Sequence, residues 1–335
     1  MLRAAILGAI CMCAVGIATA DSTAGAPTRT PPIPAALVPN AIGFWDGQRG
    51  LIGSGSLYCG ISSHCGAGAI SLTTDGGRTS LVLLRTAGPV SWVSVADGGL
   101  AWAVVDRCTA VRGCQAARLL RSDDWGRRWQ QQPHVLTAPS FGARTLGFAL
   151  GGGPCEPAWC PGVALLRSVD AGRSWHRVQS PCPGQTQGVS PVGAARAWLL
   201  CAGEPGAGNQ QKAIYETTNR GRTWRRLLAV TIDHSTANGI SSYGYALGIS
   251  FEGDGVGLLW ESRGTLHITR DGGRNWQPLA TVARPEVDFG RSASVVRGRA
   301  FALLDQGNSI FRLVATTREY DGWHTVRTWR YNPSP

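Results

Sequence analysis

The strongest constraint in this sequence is an eight-residue box that returns along the chain. It runs from a hydroxyl residue through Asp two places on and Gly two after that, and ends three further on in Trp. Ser122 to Trp129 reads SDDWGRRW, Ser168 to Trp175 reads SVDAGRSW and Thr269 to Trp276 reads TRDGGRNW. Thr217 to Trp224 has Asn219 in place of the Asp, and Thr73 to Ser80 ends in Ser instead of Trp. The positions Asp75, Asp124, Asp170, Asn219 and Asp271 are separated by 49, 46, 49 and 52 residues. A motif at that period marks a repeat architecture, in which each unit covers its apolar faces only by stacking on neighbours.

A second repeat runs out of phase with the first. Segments beginning at Ile42, Val93, Ala138, Val189, Ile249 and Ser294 each read as strand, tight Gly- or Asp-containing turn, strand. The box is itself strand, turn, strand. Two hairpins per period make a four-stranded antiparallel unit. Six first hairpins, five boxes and a degraded remnant from Thr317 to Trp323 predict an all-β chain, a β-propeller of six blades, with seven as the alternative count. The propeller is expected over 41–335 as one domain, after a Pro-rich leader at 21–40. Residues 1–20 read as a secretory signal peptide: Arg3 at the start, an apolar run to Ala20, and Ala18-Thr-Ala20 before Asp21. No later apolar run approaches membrane-spanning length. The expected place of the mature chain is therefore outside the cytosol, secreted or in the cell envelope.

The hydroxyl-x-Asp-x-Gly-x-x-Trp pattern is the Asp-box, or bacterial neuraminidase repeat. With the Phe- and Trp-containing first hairpins and the signal peptide, the chain resembles the secreted propellers of the photosystem II stability/assembly factor type. It is similar, more distantly, to sialidase and sortilin-type propellers. The resemblance covers nearly all of 41–330. It departs in showing six repeats where the assembly factors have seven, and in its cysteines. It implies a binding or scaffold role for a protein or glycan, and through the sialidases a glycoside hydrolase as the alternative.

Charge and residue chemistry narrow those options. The net charge of +11 comes from 31 Arg and one Lys, Lys212, spread along the chain with no concentrated basic run. That pattern argues against nucleic acid and for at most an acidic partner surface. The box carboxylates are one per blade around a ring, so they cannot converge on one substrate. An Asp in a hairpin turn accepts backbone N–H groups, Gly supplies positive φ, and Trp129, Trp175, Trp224 and Trp276 pack between sheets with their N–H groups bonded. With four strands alternating in direction, the first and third turns of each blade share one end of the ring with the boxes. Function is expected at the other end, which carries the loops between second and third strands and those between blades.

At that end the longest connection, 228–247, supplies Asp233, His234 and Tyr243 as candidate contacts. Trp159, Arg107 and Arg112 are further binding candidates, with Glu156, Glu204 and Arg284 beside them. Glu286 and Asp288 are a candidate carboxylate pair for glycoside hydrolysis, but they stand on one loop without a partner motif. Sialidases carry an arginine-containing motif near the start of the propeller, and that region here has none. Eight cysteines remain after the signal peptide. In the repeat register Cys59 and Cys65, Cys108 and Cys114, and Cys155 and Cys160 form local pairs, leaving Cys182 with Cys201. Spacings of five or six on separate blades do not form a metal site. The expectation is a monomeric binding module without metal or cofactor.

Overall fold

Short apolar runs bounded by Gly, Asp and Ser build strands in sets of four. The computed structural model describes residues 37–55, 67–109, 113–134, 136–151, 163–232, 236–253, 255–263, 265–279, 289–317 and 319–331. Blade 1 is Val38–Phe44, Gly50–Gly55, Gly68–Thr73 and Leu81–Thr86. Blade 2 is Val90–Ala96, Leu100–Thr109, Gly113–Ser122 and Gln130–Gln131. Blade 3 is Thr137–Phe141, Gly147–Gly151, Ala164–Ser168 and His176–Val178. Blade 4 is Gln185–Val192, Arg196–Ala202, Lys212–Thr217 and Arg225–Val230. Blade 5 is Ala246–Phe251, Gly257–Glu261, Leu266–Thr269 and Gln277–Pro278. Blade 6 is Phe289–Val296, Arg299–Asp305, Ile310–Ala315 and His324–Arg330. Each set of four, here strands a to d, is an antiparallel sheet in chain order. Six blades, not seven, close the ring among the described residues, and the first strand begins at Val38, inside the stretch read as leader.

The a strands meet one another around the axis, and the ring closes where strand a of blade 1 meets strand a of blade 6. Among the described residues no strand is exchanged between blades 1 and 6. Serine hydroxyls stitch the closure. Phe44 N–H donates to Ser294 Oγ and Ile42 N–H to Ser292 Oγ, both at 3.2 Å. The same stitch recurs where Val295 N–H donates to Ser250 Oγ and Phe251 N–H to Ser190 Oγ. Backbone groups facing a neighbouring blade have no ladder partner, so a short side chain supplies one.

Apolar packing fills each interface between blades with its own cluster of buried residues. Alternate interfaces carry a parallel ring stack from strand b of one blade onto strand a of the next. These are Phe301 on Phe44, Trp102 on Phe141 and Trp198 on Phe251, with centroids 3.7, 3.5 and 4.0 Å apart. Such pairs add about 0.5–1.5 kcal/mol each beyond the area they bury.

The connection between blades 4 and 5 differs from its expected form. It is not an open loop: Thr236–Ala237 and Ile240–Ser241 pair as a two-stranded hairpin. Its turn is Asn238-Gly239, both at positive φ (49° and 84°), the usual chemistry of a two-residue hairpin turn. Asn238 O accepts Trp276 N–H at 2.8 Å, and Ile240 is fully buried beside Trp276 and Val230. Strand d of blade 5 is only two residues long, and this hairpin covers the flank that strand leaves bare.

Candidate binding end opposite the box turns

The two ends of the ring are built differently. At one end the box turns and the a–b turns are bonded to each other. Gly76 N–H donates to Gln48 O, Trp125 N–H to Gly99 O, Arg220 N–H to Ala195 O and Gly272 N–H to Gly255 O. Within each box the polar side chains are consumed by the turn. Ser168 Oγ donates to Asp170 Oδ1 and accepts Gly172 N–H, while Asp170 accepts Ser174 N–H at 2.9 Å and its hydroxyl at 2.6 Å. Asp75, Asp124 and Asp271 repeat this pattern. Asn219 does the same with one amide oxygen, accepting Thr223 N–H at 2.9 Å, so the turn does not require charge.

Those bonds set the acidity of the box carboxylates. Partial burial pushes the Asp170 pKa up, but the Ser174 and Ser168 hydroxyls and turn N–H groups outweigh it and bring it down to about 2. Asp75, Asp124 and Asp271 lie below their usual value on the same balance. Two details were not legible in the motif. The residue after the Asp also takes positive φ where it is Trp125, Ala171 or Arg220. Trp175 and Trp276 donate to their own glycine carbonyls at 3.1 Å, but the indole N–H groups of Trp129 and Trp224 find no partner among the described residues. The expectation that all four are bonded holds for two. The sixth turn, lacking the box, is closed by Tyr320, whose hydroxyl donates to Glu252 Oε2 at 2.6 Å across the blade interface.

The opposite end carries a charged cluster that no repeated motif marks. Lys212, the single lysine, opens strand c of blade 4 and is fully buried. Its Nζ lies 2.7 Å from Glu261 Oε1 at the end of strand b in blade 5. It also donates to the carbonyls of Ser241 and Tyr243 at 2.6 and 2.9 Å. His267 Nε2 faces Glu261 Oε2 at 3.3 Å. Burial lowers the Lys212 pKa against the opposing pull of Glu261. The cluster clamps the segment after the hairpin onto two blades. It holds Tyr243, 37% exposed, at the surface, where Arg263 donates to its hydroxyl at 3.0 Å and covers its ring at 4.9 Å. A lone lysine among 31 arginines was the available signal; its partner 49 residues away was not.

The remaining sequence candidates divide in two. Arg107 is exposed in strand b of blade 2, next to Asp106, whose carboxyl is pushed up by burial and held by Ser91 Oγ–H at 2.7 Å. Glu204 is exposed in the b–c loop of blade 4. Asp233, His234, Trp159, Glu156, Arg112, Arg284, Glu286 and Asp288 lie outside the described residues, as do Cys59, Cys65, Cys155 and Cys160. Cys182 and Cys201 form a disulfide with Cα atoms 5.3 Å apart. The strand register sets Cys108 directly opposite Cys114. No group of metal-ligating side chains occurs among the described residues, and no helix there is long and apolar enough to cross a membrane.

No family model matches the chain. In sequence it is similar to the chloroplastic photosystem II stability/assembly factor HCF136 of Oryza sativa subsp. japonica, 29% identical over 125 residues, 34% of this chain and 28% of that protein. The Arabidopsis thaliana HCF136 is 26% identical over 176 residues, 48% of this chain and 40% of that protein. The matches span less than half the length of either relative. Among solved structures, the Aleuria aurantia lectin matches at TM-score 0.56 with 12% identity, over 88% of this chain and 96% of the lectin. A YCF48 with a bound D1 peptide matches at TM-score 0.47 with 14% identity, over 88% and 82%. The chain is a six-bladed propeller, similar in sequence over part of its length to the stability/assembly factor HCF136.

Proposed function

We propose that this chain is an exported, non-catalytic propeller that docks a protein partner, as a monomer, through the end opposite its box turns. The observation that carries the reading is the unequal use of polar groups at the two ends. At the box end the carboxylates and hydroxyls are spent on their own turns. At the other end a buried ion pair holds the Tyr243 ring at the surface, with the half-buried Arg263 guanidinium against it. Tyr and Arg are the residue types that anchor protein interfaces. Exposed Arg107 and half-buried Arg263 suit an acidic partner surface. The relatives' name, stability/assembly factor, supports a role played on other proteins, without extending to photosystem II itself. Export is supported by the apolar run at 1–20 and by the Cys182–Cys201 disulfide.

The test is affinity capture from envelope extract with wild-type chain, Tyr243→Ala/Arg263→Ala, and the box-end variant Arg78→Ala. One protein retained by wild type and Arg78→Ala and lost by the double variant supports the reading. A partner lost equally with Arg78→Ala contradicts it. So does hydrolysis of a fluorogenic glycoside that disappears in Glu286→Gln.

A further inference from the structure

Blade 3 ends short of blade 4 on the outside of the ring. Its outer strand, His176–Val178, has three residues where that of blade 4, Arg225–Val230, has six, a difference of roughly 10 Å of strand. The face of blade 4 turned toward blade 3 packs Cys201, Ala213 and Tyr215 against Val178 and Leu165, and beyond Val178 no described strand of blade 3 continues alongside it. The result is a cleft of about 670 Å3, floored by strands c and d of blade 4 and walled by the chain around the Cys182–Cys201 disulfide. A cleft of that size takes a ligand of small-molecule dimensions.

The lining is amphipathic in a particular way. Tyr215 is a half-buried part of the lining, and Pro205 and Ile232, the latter 54% exposed, give apolar walls. Glu204, Gln211 and Arg226 are exposed, and neither their side chains nor the Tyr215 hydroxyl make a hydrogen bond or ion pair among the described residues. They are an acceptor, an amide, a donor fork and a hydroxyl, all without work in the fold. Their charges cancel, Glu204 against Arg226, and Lys212 at the cleft floor is neutralised by Glu261. A cleft with no surplus charge does not select an acidic or basic segment. A ring face beside convergent acceptors and donors fits a ligand with one apolar C–H face and a rim of hydroxyls.

We propose that this cleft binds a neutral saccharide of one to three rings. The C–H face lies on Tyr215, Glu204 accepts from sugar hydroxyls, and Arg226 and Gln211 donate to sugar oxygens. This goes beyond the docking reading and uses a different flank of blade 4, because Tyr243 and Arg263 belong to the side facing blade 5. Failure of one therefore leaves the other standing.

The experiment is a glycan array followed by titration calorimetry on the full chain, using neutral di- and trisaccharides alongside their sialylated and sulfated counterparts. The expected result is binding of one or more neutral saccharides, with little gain from added negative charge. Tyr215→Ala and the surface variant Glu204→Gln should each weaken it at least tenfold, and Tyr243→Ala should leave it unchanged. Glu204→Gln touches no packed group, so it remains informative if Tyr215→Ala fails to fold. The proposal is overturned if no neutral saccharide binds at millimolar concentration, or if binding survives both Glu204→Gln and Arg226→Gln. Exclusive capture of anionic glycans, or of a peptide, overturns it as well.

Discussion

The two ends of this ring spend polar chemistry in opposite ways. At the box end, five turns of nearly one design use short side chains on their own backbone, and each turn is repaired locally within eight residues. At the opposite end a single unrepeated cluster, Lys212 with Glu261 and His267, joins two blades and an inserted hairpin through side chains far apart in sequence. Repetition at the first end means redundancy, since four other boxes stand when one is damaged. The lack of it at the second means that one substitution removes the whole device. What repeats belongs to the fold, and what occurs once is where the chain departs from its fold for another purpose.

That contrast is broken most severely by removing the lysine. Lys212→Met leaves buried Glu261 with His267 alone beside it and takes the lysine donor from the Ser241 and Tyr243 carbonyls. Urea denaturation should show a loss of about 3–5 kcal/mol, with part of it recovered in Lys212→Met/Glu261→Met. Next comes the disulfide. Replacing Cys182 and Cys201 with serine opens a loop with a sequence separation of 19 and should cost about 3 kcal/mol, read as a lower denaturation midpoint in the oxidised protein alone. A box substitution should cost less. Asp170→Ala strands Ser174 N–H at a half-exposed turn and is expected to cost about 1–2 kcal/mol by the same measurement, with partner capture unchanged.

Acid separates the boxes from one another. The Asp170 carboxyl is depressed in the fold to about 2, so it contributes stability at pH values above its ordinary value near 3.8, and that contribution is lost as pH falls toward 2. Asp75, Asp124 and Asp271 share the sign, and Asn219 contributes nothing to it. Melting temperature measured from pH 5 to pH 2 should fall, and Asp170→Asn should flatten the slope. The smallest effect expected is a gain. Asn219 sits among Arg220, Arg222 and Arg225, and Asn219→Asp restores the box carboxylate there, raising stability by a few tenths of a kcal/mol in low salt and by less in high salt.

Much of the fold was legible because it repeats. One misread box would have left four others to set the period, and the period alone phased the hairpins and assigned the boxes to one end. The strand starting at Val38 was missed because Pro39 and the proline-rich stretch before it read as leader. The hairpin at Thr236–Ser241 was legible in principle, since Asn238-Gly239 is a strong turn signal, but six residues lacking apolar alternation hid it inside a long connection. The binding end was far less legible. Lys212, Glu261 and His267 meet only after two blades stack, and no local pattern records that meeting. The cleft beside Tyr215 arises from the shortness of a neighbouring strand, a property of two blades together.

The central claim, that partner docking belongs to the end opposite the box turns, is tested most directly by a matched pair of variants. Asp170→Ala and Tyr243→Ala/Arg263→Ala are each measured for melting temperature and for affinity toward the captured partner. The account predicts a lowered melting temperature with unchanged affinity for the first, and an unchanged melting temperature with at least tenfold weaker affinity for the second. Loss of affinity in Asp170→Ala at full stability, with affinity retained in Tyr243→Ala/Arg263→Ala, would contradict it.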